Sequence, residues 1–124
     1  MIRLLENNRG ISLFLTLLIA VEIFYMSSIP GTMGVGGNIW MPVIYHFTIF
    51  FLFTFFLIIT IKGNRKIKKS HILIAIIFSL SQAFLDEFHQ FFVPLRSMSI
   101  TDILTDSLGI FSAIIIYYLS CKKD

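Results

Sequence analysis

Residues 86–109 read DEFHQFFVPLRSMSITDILTDSLG. Asp86, Glu87, His89, Gln90, Arg96, Asp102 and Asp106 stand together here between two long apolar runs. Inside hydrocarbon such residues are costly, and they persist where they face a bundle interior, pair with one another or carry a function. Pro94 and the short PLRSM segment (94–98) make a turn, so the runs on either side fold back as antiparallel neighbours. The fold then depends on whether those runs, and the ones before them, cross a membrane.

Composition says that they do. The 124 residues are 56% hydrophobic and only 14% charged, against about 25% charged in an ordinary soluble domain. Mean hydropathy is +0.87. Apolar runs fall at about 11–28, 41–61, 71–93 and 99–120, each close to the roughly 20 residues a membrane helix needs. An all-α, polytopic membrane protein of four transmembrane helices follows, one domain over 1–124 with no space for a soluble one. Residues 29–40 (IPGTMGVGGNIW) interrupt the first two spans with Pro30 and four glycines, and Trp40 stands where an interfacial anchor belongs. The Phe-rich run HFTIFFLFTFFLIITI (46–61) reads as lipid-facing packing rather than an aromatic binding box. A basic start before an apolar run also fits a signal peptide. This run is long for one and no small-x-small site follows, so the first helix is expected to be retained. The single Cys121 excludes an intramolecular disulfide and reads as an apolar residue near the end of the last helix.

Charge sets the expected orientation. Residues 62–70 (KGNRKIKKS) hold Lys62, Arg65, Lys66, Lys68 and Lys69 without an acid. Arg3 and Arg9 precede the first span, and Lys122 and Lys123 follow the last; the other two loops carry Arg96 alone. Short loops rich in Lys and Arg stay in the cytoplasm, so both termini are expected inside a cell membrane crossed several times. The basic pI of about 9.2 thereby reflects membrane orientation, and no nucleic-acid partner is expected.

With that topology, polar residues of all four spans share one depth. Glu22 lies roughly 9 Å below the end of the first span and His46 roughly 8 Å below the start of the second. Gln82, Asp86 and His89 or Gln90 share a helical face, as do Ser99, Asp102, Asp106 and Gly109. Gly109 also marks a close approach between helices. Asp86, Glu87, His89 and Asp102 are the candidates for acid–base work; Arg96, Gln90, His46, Glu22, Asp106 and Ser28 are candidates for binding a ligand.

Each has a plainer reading. Ser99 to Asp102 has capping-box form, His89 suits a helix C-terminus, Glu22 and His46 can pair, and Arg96 can sit at the headgroups. Charge counting weighs against plain readings for all of them. Glu22, Asp86, Glu87, Asp102 and Asp106 face one fixed cation, Arg96. Some acids then hold protons, or the histidines are charged, or a cation binds. His46, His89 and the acids offer metal ligands, but no HExxH-type spacing supports a metal, and no cofactor is named by any motif. A phosphate loop, a catalytic-serine elbow and a nucleic-acid motif are all missing from the sequence. Alternatives to a binding or modifying site are a small proton- or cation-coupled transporter and a non-catalytic structural or immunity protein.

The pattern Asp86-Glu87-x-His89-Gln90, Pro94, Arg96, Ser99, Asp102 and Gly109 resembles the VanZ-like membrane proteins, with weaker likeness at Ser27-Ser28, Pro30 and His46-Phe47. Two departures stand out. Members often carry Asp-Lys shortly before the second-span histidine, where this chain has Met41-Pro42-Val43-Ile44-Tyr45, and often Asn at the position of Asp106. The resemblance implies an envelope role in a Gram-positive type of bacterium, the founding member being linked to resistance to teicoplanin. The expected function is binding, or modification, of an amphiphile at a polar pocket open to the outer face, with membrane lipids and a lipid-linked or glycopeptide ligand as partners.

Overall fold

In lipid a backbone N–H or C=O finds no partner except along its own chain, so long apolar runs become helices. The computed structural model describes residues 2–31 and 40–122, without the side chain of residue 122. It contains α1 (Ile2–Asn7), α2 (Arg9–Ser28), α3 (Trp40–Lys62), α4 (Lys69–Gln90) and α5 (Ile100–Lys122), with no strand among the described residues. Four of these, α2 to α5, are long and apolar enough to cross a membrane. Most of the loop expected at 29–40, including Gly34, Gly36 and Gly37, lies outside the described residues, as does Lys123.

Burial is arranged for lipid. Phe78 and Leu104 are 62% and 61% exposed, as are many other large apolar side chains. Small and polar residues such as Ser12, Thr16, Thr54 and Ser79 point inward. Lipid tails are as apolar as leucine, so helices gain by close packing and internal hydrogen bonds rather than by hiding apolar surface. Two interior clusters result: Ile23, Phe50, Phe53, Ala83 and Ile110, and, further along, Ile58, Ile59, Ala75, Ile114 and Tyr117. Thr54 donates to Ser79 across 2.9 Å within this interior.

Helix α3 is the hub, touching every other helix and packing most extensively on α5. Gly109 makes that packing possible. A Cβ there would stand 2.4 Å from the carbonyl oxygen of Phe47 and 3.1 Å from the amide nitrogen of Phe51. The close approach expected at Gly109 is therefore made to α3, not to the sequence neighbour α4.

The basic end contains an element that the sequence pattern did not reveal. Helix α1 folds under the bundle, and Glu6 meets Lys62 at 2.7 Å and accepts a hydrogen bond from the Tyr117 hydroxyl. Arg9 donates twice to the carbonyl of Thr60, at 3.0 and 2.9 Å. Gly63, at φ +53°, ends α3 in the left-handed conformation that glycine adopts without strain. One of the five cations of residues 62–70, Lys62, is thus committed to an internal pair. Both partners are largely buried, and removing one side of such a pair leaves an uncompensated charge. Lys62→Met should lower stability by about 3 kcal/mol, read by unfolding in detergent; an unchanged transition would show that the pair contributes nothing.

Helix α4 ends at Gln90 instead of continuing to Val93. Proline disfavours helical backbone in the residue before it. The chain tightens into successive turns, with Phe92 N–H donating to the His89 carbonyl, Val93 N–H to Gln90 and Arg96 N–H to Val93. Leu95 takes a positive φ of 61° within this corner. The earlier ending lets Arg96 reach back to the bundle.

Candidate functional site

The site lies at the end of the bundle opposite the basic loop, where α2 and α4 finish and α3 and α5 begin. Each helix contributes from its last or first turns, so the polar groups meet while the apolar middle stays intact. Asp86, Glu87, Gln90, His46 and Asp106 are all buried, with Glu87 and Asp106 at 0% exposure. Asp102 is partly exposed and lies at the edge of this group.

Two linked networks hold the residues. In the first, the Gln90 amide nitrogen donates to Asp86 Oδ2 at 3.0 Å and to Glu87 Oε1 at 3.4 Å. Its carbonyl oxygen accepts from Arg96 Nη1 at 3.2 Å. Arg96 also donates to the carbonyls of Met26 and Ile29, each at 3.2 Å. It thereby straps the α4–α5 corner to the C-terminal end of α2, where carbonyls lack helical partners. Gln90 relays between the cation and two acids that Arg96 does not itself contact.

The second network centres on His46. Its Nδ1 lies 2.9 Å from Asp106 Oδ1, while Nε2 is 4.0 Å from Asp102 Oδ2, too far for a hydrogen bond. Asp106 Oδ2 is buried without a partner. One donor atom each from His46, Glu87 and Asp102 lie within 4.8 Å of one another, a set able to hold a metal ion.

The start of α5 explains how Asp102 stays available. Ser99 caps the helix, its Oγ accepting from the Asp102 amide at 3.2 Å. In a capping box the third residue would return a side-chain bond to the Ser99 amide. That amide donates instead to Glu87 Oε2 at 2.7 Å. Half of the expected box is closed by a carboxylate from another helix, and the Asp102 carboxyl is left facing His46.

Other expected pairings change. Glu22 does not meet His46; it accepts both contacts from the Tyr45 hydroxyl, at 3.0 and 3.1 Å. Sequence reasoning passed over Tyr45, although it precedes His46 at the depth of Glu22. His89 does not join the acids. Its Nε2 is 3.1 Å from Ser28 Oγ and its ring lies on Phe24, 4.7 Å between centroids. At 100° per residue, His89 sits about 160° around α4 from Glu87, so the two cannot face one ligand. Ser28 thus supports His89. Ser27, beside Ser28 in the weaker part of the family likeness, donates to the backbone carbonyl of Asp86 at 3.4 Å.

Beside these networks a cavity of about 300 Å³ opens between α2, α3 and α4. Its lining includes the apolar Ile23, Met26, Met41 and Pro42 and the polar Tyr45, His46, Asp86, Gln90 and Arg96. An apolar wall with a few convergent polar groups is the usual form of a small-molecule site.

Comparison with protein families finds a match to the VanZ/LLP1 family over residues 9–121. Comparison with curated proteins and with solved structures gives no match.

Proposed function

The chain belongs to the VanZ/LLP1 family and is a membrane protein of four apolar helices, and on that premise we propose that it binds the polar head of an envelope amphiphile. The observation that carries this reading is the cavity, lined both by the apolar Ile23, Met26, Met41 and Pro42 and by His46, Asp86, Gln90 and Arg96. A lipid-tailed ligand needs both: hydrocarbon contact for its chain and fixed donors and acceptors for its head. A lipid-linked wall precursor and a lipid-tailed glycopeptide such as teicoplanin meet that description.

Orientation supports an outward-facing site. Arg65, Lys66, Lys68 and Lys69 gather at the opposite end of the bundle, and such loops remain cytoplasmic. The cavity then opens in the outer half of the plasma membrane of a Gram-positive type of bacterium, where wall precursors and glycopeptides meet. Of the five guanidinium N–H groups, Arg96 uses one from each nitrogen on protein oxygens. The two others serve an anionic group of the head, a phosphate or carboxylate. Asp86, which lines the cavity, would accept its amine or hydroxyl groups, with Glu87, held by Ser99 and Gln90, adding charge beside it. Binding fits better than relay of ions across the bilayer. Between the site and the Glu6–Lys62 end, the buried polar side chains among the described residues are the hydroxyls of Ser12, Thr16, Thr54 and Ser79, none of them ionisable.

A teicoplanin susceptibility assay in a sensitive host tests this reading, with empty vector, wild type, Glu87→Gln and Arg96→Ala at matched membrane levels. Wild type should protect and both variants should lose most of that protection. Protection that survives both changes would remove the site from the function. Wild type without any protection would exclude a glycopeptide as the ligand.

A further inference from the structure

The four carboxyls Asp86, Glu87, Asp102 and Asp106 gather with no acid–cation contact among them except through His46. Arg96, the fixed cation at this end, spends its recorded bonds on Gln90 and backbone carbonyls. Buried anions in this number call for compensation. The donors placed at their centre suggest its form.

We propose that His46, Glu87 and Asp102 bind a divalent transition-metal ion, Zn²⁺ or Mn²⁺. One donor atom of each lies within 4.8 Å of the others, contributed by α3, α4 and α5 respectively. A second, independent feature points the same way. The His46 side chain is only 6% exposed, and its Nδ1 is committed to Asp106 at 2.9 Å. Its Nε2 has no hydrogen bond among the described residues and is directed to the side of Asp102, 4.0 Å from Oδ2. A buried imidazole whose Nδ1–H is held by a carboxylate presents the Nε2 lone pair, the arrangement found behind metal-bound histidines. Asp106 is in this sense a positioning residue: it fixes the tautomer and the ring, and does not itself bind the ion.

The remaining contacts fit. Ser99 N–H and the Gln90 amide hold Glu87 in place as hydrogen-bonded supports of a ligating carboxylate. Imidazole and carboxylate together suit Zn²⁺ and Mn²⁺ better than thiolate-seeking ions. Bonds of about 2.0–2.2 Å at the tetrahedral angle place two ligands of one ion roughly 3.3–3.6 Å apart. Donor atoms up to 4.8 Å apart therefore close by up to about 1.4 Å as the ion enters. A divalent charge cancels those of Glu87 and Asp102. With three protein ligands, at least one coordination position stays open, toward water or a polar head in the neighbouring cavity.

The test is metal content, which needs no amphiphile and so stands apart from the proposal of ligand binding. The purified full chain in detergent is stripped with chelator, reloaded separately with Zn²⁺ and Mn²⁺, desalted, and measured by mass spectrometry for metal and by thermal unfolding. Wild type should retain about one ion per chain of at least one metal and unfold at a higher temperature than the stripped protein. Asp102→Asn and Glu87→Gln should lose the ion, and His89→Ala should keep it. Asp106→Asn should weaken affinity by about 10–100-fold, the usual effect of altering the support of a metal-bound histidine. Because His46→Ala is liable to misfold, the decision rests on wild type and Asp102→Asn. Wild type that holds neither metal, or Asp102→Asn that holds as much as wild type, overturns the site.

Discussion

Replacing His46 by leucine should lower stability by about 3–5 kcal/mol, the range for leaving a buried charge without its partner. Asp106 is 0% exposed, Oδ2 already lacks a partner, and Oδ1 depends on His46 Nδ1. Without the imidazole a carboxyl in the bundle interior keeps no hydrogen bond. Leucine fills much of the ring's volume, so a cavity does not account for the effect. The pair as a whole is another matter, since exchanging both members of a buried pair for apolar residues is often close to neutral. His46→Leu combined with Asp106→Leu should therefore regain most of what the single change loses. Reversible unfolding in mixed micelles, with chelator present so that no ion contributes, measures both. A single variant as stable as wild type would show that Asp106 does not rely on His46.

Gly109→Val should prevent assembly of the bundle. The new Cβ would meet a backbone carbonyl oxygen of Phe47 at 2.4 Å and the Phe51 amide nitrogen at 3.1 Å. Neither is the end of a flexible side chain, so relief requires α3 and α5 to separate. These are the two most extensively packed helices, and in lipid no hydrophobic force holds parted helices together. Overpacking typically costs about 1–3 kcal/mol where side chains can yield; with backbone opposing it the effect should exceed 3 kcal/mol. The variant should accumulate poorly in membranes and elute as a broad, aggregated species. Gly109→Ala, which brings the same Cβ without the further methyls, should also force α3 and α5 apart and lower the unfolding temperature, by less than valine does. A monodisperse Gly109→Val at wild-type yield would refute the close contact. The same helix pair positions His46 against Asp102 and Asp106, so this packing point also sets the geometry of the site.

The four-span architecture was legible in the sequence because lipid permits little else. Long apolar runs must be helical, and clustered cations with short turns leave few topologies. The level of the polar residues was legible too: counting 1.5 Å per residue placed Glu22 near the first turns of the second span, where it meets Tyr45. Helical phase was a further signal, and applied to α4 it separates His89 from Glu87.

Partners across helices were not legible. The 86–109 stretch puts Asp86, Glu87 and His89 side by side in the chain, yet His89 turns to Ser28 and Phe24 on α2, while His46, forty residues upstream of the acids, takes its place. Ser99 and Asp102 read locally as a capping box until Glu87 supplies one of its bonds. Glu6 reads as a charge in a basic tail until α1 folds it against Lys62 and Tyr117. Periodicity fixes which residues share a face of one helix. The rotation of each helix about its axis, and its distance from the next, come from packing, here at contacts such as Gly109 on Phe47. The four long apolar helices and the level of their polar residues were written along the chain; the short α1, and which imidazole faces which carboxylate, were decided only when the helices packed.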